Sequence, residues 1–98
     1  MTDKYILVNK KAILTNDFHE WGRWFEENDR LVKQETLDNG YLISTVFLGI
    51  DHQFGEGKPL IFETIVFHED ESEQIRYSTW EEAEEGHNLM VEKYKGKE

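Results

Sequence analysis

The stretch YLISTVFLGIDHQFGEGKPLIFETIVF, residues 41–67, decides the fold. Its ends, 41–50 and 60–67, are apolar runs of strand length, and between them lie Asp51, His52, Phe54, Gly55, Gly57, Lys58 and the chain's only proline, Pro59. The second run is apolar on both alternating sets, with Leu60, Phe62, Thr64 and Val66 on one side and Ile61, Glu63, Ile65 and Phe67 on the other. That pattern belongs to a central strand covered on both faces. The expectation is that the two runs pair antiparallel, with Gly49, Gly55, Gly57 and Pro59 building a wide connection at one end of the sheet.

Working outward, RLVKQETL (30–37) precedes Asp38-Asn39-Gly40. Asn-Gly is the favoured pair for a two-residue primed turn, which would set Leu37 opposite Leu42 and Val32 opposite Phe47. Lys33, Gln34 and Glu35 make this an edge strand guarded against pairing with another chain. KYILV (4–8) and KAILT (11–15) flank Asn9 and Lys10 and read as an opening hairpin. Asp17 with Glu20 three residues on has the capping-box pattern, and Phe18, Trp21 and Phe25, with Trp24 beside them, form a helical stripe facing the core. After a polar connection, HEDESEQ (68–74), IRYS (75–78) forms a short final strand, and Ser78 with Glu81 opens the last helix. That helix carries Trp80, Ala83, His87, Met90, Val91 and Tyr94 on one stripe, with Gly86 allowing close approach to the sheet. The order is ββαββββα: an α+β fold, one domain over 1–98, with four to five antiparallel strands, two helices on one face and a frayed end at 95–98. Two helices cover one face only. The other is left to loops or to a second copy, which motivates a homodimer.

Composition sets the outer limits. A chain of 98 residues removes only about two thirds of its unfolded surface from water. With 38% hydrophobic, 13% aromatic and 33% charged residues, its aromatics must supply much of a small core. There is no cysteine, hence no disulfide or thiolate zinc site, which suits a reducing compartment such as the cytoplasm. The most apolar run falls far short of the roughly 20 residues of a membrane span, and the opening MTDKYILVNKK lacks the apolar centre of a signal peptide. A net charge of −10 argues against general binding to nucleic acid or anionic lipid and favours solubility or a basic partner. The acidic clusters at 69–73 and 81–85 make mimicry of a phosphate backbone a weaker reading, since the second is ordinary chemistry for a helix start.

Familiar catalytic devices are missing. Gly55-Glu56-Gly57-Lys58 is followed by Pro59 and a strand, with no Ser or Thr after the lysine and no helix N-terminus, so it is no phosphate loop. A Rossmann fingerprint fails for want of a strand-Gly-helix unit. The expected hairpin separates His52 from His68 by roughly 20 Å at 3.3 Å per residue, so they are not co-ligands. His87 reads as a hydrogen-bonded core residue and His19 as a solvated one. No metal site, cofactor or catalytic residue is assigned. What remains is Asp51, His52 and Phe54 in the loop, which neither turn geometry nor solubility requires, and Glu63, the ionisable residue interrupting an apolar strand. Glu63 needs a partner such as Arg76 or Tyr77. These four are the candidate binding residues.

The segments STVFLGIDHQFG, PLIFETIVF and RYSTWEEAEEGH, supported by KYILVNKKAI and WGRWFEENDR, resemble a family of short proteins encoded mainly in bacteriophage genomes and integrated phage elements. The likeness covers most of the chain, including Thr45, Gly49, Asp51, His52, Phe54, Glu63, Thr64, Tyr77, Trp80, Gly86 and His87. It departs from the family at Ile65, where methionine is common, and at His68, where glycine is. The resemblance implies a bacterial host but no activity, and it carries over no functional residue. The leading reading is a non-catalytic accessory protein that binds a host protein or small ligand, with host interaction or counter-defence as its setting. The alternatives are a small enzyme or metal protein using Asp51, His52 and Glu63, and a structural or dimerisation domain of a phage assembly.

Overall fold

A computed structural model describes residues 3–51, 57–69 and 71–97. The elements are β1 (Lys4–Val8), β2 (Lys11–Thr15), α1 (Phe18–Glu27), β3 (Leu31–Thr36), β4 (Leu42–Phe47), β5 (Phe62–Phe67), β6 (Ser72–Tyr77) and α2 (Trp80–Lys95). The order ββαββββα and the α+β class are those read from the sequence. Strands β3-β4-β5-β6 form an antiparallel sheet in chain order, so β4 and β5 are central and paired as expected. The hairpin β1-β2 forms a second sheet of two strands rather than a fifth and sixth strand of the first. Backbone bonds from the Tyr5 N–H to the Gly49 carbonyl and from the Asp51 N–H to the Asp3 carbonyl tie β1 to the chain beyond β4.

The two hairpin turns exchange the chemistry the sequence suggests. Asn9 and Lys10 take positive φ of 51° and 67°, as a primed two-residue turn requires, and Val8 stands opposite Lys11. At Asn39-Gly40 only Gly40 takes positive φ, 93°. The Gly40 N–H bonds the Leu37 carbonyl and the Leu37 N–H bonds the Tyr41 carbonyl, a three-residue loop in place of the expected two. The register moves by one: Thr36, not Leu37, stands opposite Leu42, and after a bulge Leu31 stands opposite Val46. Because side chains alternate, that step puts Leu37 on the core side with Tyr41 and Ile43.

Both helices reach the same face of the larger sheet. Trp24 and Phe25 of α1 meet the Phe47 ring, Phe47 meets Phe62, and Phe62 meets Trp80 of α2, with centroids 5.2 to 6.3 Å apart. Nearer the other end of the sheet, Ile43, Val66 and Tyr41 pack with Met90 and Tyr94 of α2. The aromatic stripe of α1 is only partly a core stripe: Phe18 is 63% exposed and Trp21, Trp24 and Phe25 are half-buried, because the helix rests on the hairpin at the margin of the fold. Asp17 caps it by accepting from the His19 and Glu20 amides, while the Glu20 carboxylate takes the Thr15 hydroxyl instead of closing a box.

Two boundaries differ from expectation. β6 begins at Ser72, within the stretch read as a connection, because a polar sequence pairs readily along a solvated edge. The capping box of α2 is Thr79 with Glu82, one residue later than Ser78 with Glu81. Beyond the helix, the Asn39 amide donates to the Tyr94 and Lys97 carbonyls and Lys97 pairs with Glu71 at 2.7 Å, giving partners to an end whose composition suggests fraying.

Candidate functional site

Of the four candidate residues, Asp51 and Glu63 are described; His52 and Phe54 lie outside the described residues. Asp51 is half-buried, and its Oδ1 accepts the Leu60 N–H at 3.0 Å. The side chain thereby clasps the two feet of the loop just before β5 enters the sheet. Glu63, one residue into β5, is 7% exposed and accepts the Arg76 Nε–H at 2.9 Å from β6. This is the tie expected of a carboxylate on an apolar strand, with Arg76 rather than Tyr77 as the partner. The structure thus gives the two acids separate structural partners, Leu60 and Arg76.

Glu63 lies on the face of the sheet away from the helices. Cross-strand partners share a face, so Thr36, Leu42, Phe67 and Ser72 form one row, Gln34, Ser44, Ile65 and Gln74 the next, and Leu31, Val46, Glu63 and Arg76 the third. A bond from the Ser44 hydroxyl to the side-chain amide oxygen of Gln34 runs along the middle row. The face is graded. It is closed at Glu63, beside the feet of the loop, and opens toward Phe67, which is 49% exposed, with Leu42, Val46 and Ile65 half-buried between. No described helix packs over it; all four strands of this sheet contact α2 on the other side.

The helix-covered face holds a second polar group, which sequence reasoning found only in part. His87 is fully buried; its Nδ1 lies 2.7 Å from the Thr45 hydroxyl, which lies 2.5 Å from that of Thr64, and its Nε2 lies 3.1 Å from Glu35 Oε1. A carboxylate only accepts, so Nε2 carries the proton of the neutral ring and Nδ1 accepts from Thr45, whose oxygen accepts from Thr64. Burial lowers the affinity of this imidazole for a second proton, against the opposing pull of Glu35. A hydroxyl, an imidazole and a carboxylate in line resemble nucleophilic machinery, yet both threonines are fully enclosed. The line joins β3, β4, β5 and α2. Two threonines facing one another at register positions of apolar strands are its signal in the sequence, but that signal becomes visible only when the register is known. Nearby, the buried Trp80 indole N–H has no hydrogen-bond partner among the described residues, and burial raises the Tyr77 pKa against the opposing pull of the Thr64 hydroxyl.

A third cluster closes the far end of the sheet. Tyr41 stacks on His68 with centroids 4.0 Å apart and bonds Glu71, while Tyr94 donates to Glu73 and lies under Lys97. Lys93 also bonds Glu73, at 2.7 Å. Hydrogen bonds from these lysines and tyrosines hold the Glu71 and Glu73 carboxyls below their usual range, and acceptance by Glu73 pushes the Tyr94 phenol well above its own. The groups saturate one another and pin the end of α2 to the β5-β6 connection.

Among the described residues no set of three or more His, Asp or Glu side chains is arranged to hold a metal ion, and no helix is long and apolar enough to cross a membrane. Comparison with protein-family models, curated proteins and solved structures finds no match.

Proposed function

We propose that this chain is a phage-derived, non-catalytic accessory protein that binds a host protein, with the open face of the four-stranded sheet as its docking surface and with His52 and Phe54 among its binding residues. The observation that carries this reading is the graded face opposite α2, on which Phe67 stands opposite Leu42 and Ile65, next along β5, lies diagonal to Val46. Exposed contiguous apolar surface rimmed by polar groups is characteristic of interaction sites. A flat face suits a protein better than a small ligand, which is generally held in a concavity. The net charge of −10 favours a partner with a basic rim. Asp51 and Glu63 already serve as acceptors for Leu60 and Arg76, which favours binding over proton transfer. The family resemblance supports the phage origin, and the lack of cysteine suits the reducing cytoplasm of a bacterial host.

The test is capture from bacterial lysate by the wild-type chain, by Phe67→Ser, by a His52→Ala and Phe54→Ala double variant, and by Leu89→Ser on the exposed side of α2. The expected result is one partner retained by wild type and Leu89→Ser and lost by the other two. Equal retention by Phe67→Ser removes the open face from consideration.

A further inference from the structure

We propose that the protein forms a symmetric dimer by pairing β2 edge to edge with β2 of a second copy, joining two hairpins into one four-stranded antiparallel sheet. This edge is a different surface from the open sheet face proposed above for a host partner.

Among the described residues the fold has three strand edges, and two are guarded. β3 carries Lys33, Glu35 and a bulge, and β6 carries Glu73 and Arg76, the usual protections against pairing with another chain. β2 is the outer strand of its hairpin, because the other side of β1 is engaged by the 49–51 segment. Between Lys11 and Thr15 it presents only Ala12, Ile13 and Leu14, with Ile13 45% and Leu14 51% exposed. An edge of that kind is a template for another strand.

The register follows from the turn. With Asn9 and Lys10 forming a two-residue turn, Val8 and Lys11 are the hydrogen-bonded closing pair, and the alternation directs the backbone groups of Lys11, Ile13 and Thr15 toward β1. The N–H and C=O of Ala12 and Leu14 therefore point outward. Antiparallel pairing centred on Ile13 matches both groups of Ala12 with both groups of Leu14 in the second copy, and the reverse. Side-chain sizes fit as well: each Leu14 lies opposite the small Ala12, and the two Ile13 side chains meet on the axis, extending the Ile6–Ile13 pair of each hairpin into one aliphatic row. Charges agree. Lys11 falls opposite Thr15 and diagonal to Asp17 of the second copy, so no like charges oppose one another, although the hairpin is a basic element in an acidic chain. A slip by two residues places either Lys10 and Lys11 against Leu14 and Ile13, or Asn16 against Ala12, and loses the fit. The interface is isologous and closes on itself.

The absence of cysteine makes the test direct. Two Ile13 residues on the axis form a non-hydrogen-bonded pair with Cα atoms about 4.5 Å apart, within disulfide range. Oxidation of Ile13→Cys is expected to give a covalent dimer, while Phe67→Cys and Leu89→Cys, which lie away from β2, are expected to form no crosslink. By sedimentation the wild-type chain is expected to show a concentration-dependent dimer whose dissociation constant rises at least about tenfold in Leu14→Lys. Both substituted side chains are exposed, and circular dichroism of each variant checks its fold. A wild-type monomer at millimolar concentration overturns the proposal. So does a dimer that survives Leu14→Lys, or one that crosslinks through Phe67→Cys, which would put the second copy on the open face.

Discussion

Gly49 shows how one residue position is fixed twice over. Its φ is 76°, a conformation that L side chains rarely adopt, and a Cβ there would overlap the Phe25 ring of α1. The Trp21 indole N–H also donates to its carbonyl, at 3.2 Å. Gly49→Ala combines backbone strain of about 1–3 kcal/mol with displacement of a packed ring. A loss of roughly 3 kcal/mol or more is expected in urea unfolding; a loss below about 1 kcal/mol would mean that α1 shifts freely. His87 makes a prediction about pH. Burial lowers its pKa in the folded state below the usual 6.5, so the unfolded chain binds the proton more readily. Its contribution is complete above pH 6.5 and is lost as pH falls from there toward the folded value. Glu71 and Glu73, held below 4.5 by their lysine and tyrosine partners, lose theirs only at lower pH. Stability measured from pH 7 to 3 should therefore fall in two stages, and His87→Gln should remove the upper one. An unchanged upper stage in that variant would assign it to another group.

At the level of elements, the start of α2 separates two caps that sequence alone leaves level. STWEE, residues 78–82, contains both Ser78 with Glu81 and Thr79 with Glu82. The Tyr77 carbonyl is still engaged by the Ile61 N–H, so the chain leaves the sheet late, and Glu82 accepts from the amides of both Ser78 and Thr79. Thr79→Ala should cost about 1 kcal/mol, whereas Ser78→Ala should stay within about 0.5 kcal/mol; equal effects in thermal melts would contradict the cap. The same limit explains how much of the fold was legible. Period-2 and helical patterns reveal that an element exists, because burial is written locally in KYILV, STVFLG and FETIVF. Register is settled by a single φ. At Asn39 the expected positive value is absent, one residue enters the loop, and Leu37 exchanges faces. Of the candidate site, Glu63 was legible because an acid on an apolar strand must find a partner. The Thr64–Thr45–His87–Glu35 line was not, because it is assembled across four elements whose alignment no local pattern records.

Across the whole molecule the governing quantity is the charge of −10, from 21 acidic and 11 basic residues, on a body with a radius of gyration of 14.5 Å. The screening length is about 30 Å at 0.01 M salt and about 8 Å at 0.15 M. In dilute buffer every carboxylate therefore repels all the others across the folded chain, while at 0.15 M only neighbours interact. Unfolding spreads the charges and relieves that repulsion, so screening stabilises the compact state. Salt also weakens the pairs Lys33–Glu35, Lys93–Glu73 and Lys97–Glu71, but these are solvent-exposed and exposed pairs contribute little. The basic hairpin, with Lys4, Lys10 and Lys11 against Asp3, is too small to reverse the balance. Raising NaCl from 0.01 to 0.15 M should therefore raise Tm, most steeply at the low end, where screening changes fastest. A fall in Tm over that range would show that the lysine–carboxylate pairs around the end of α2 outweigh the net charge.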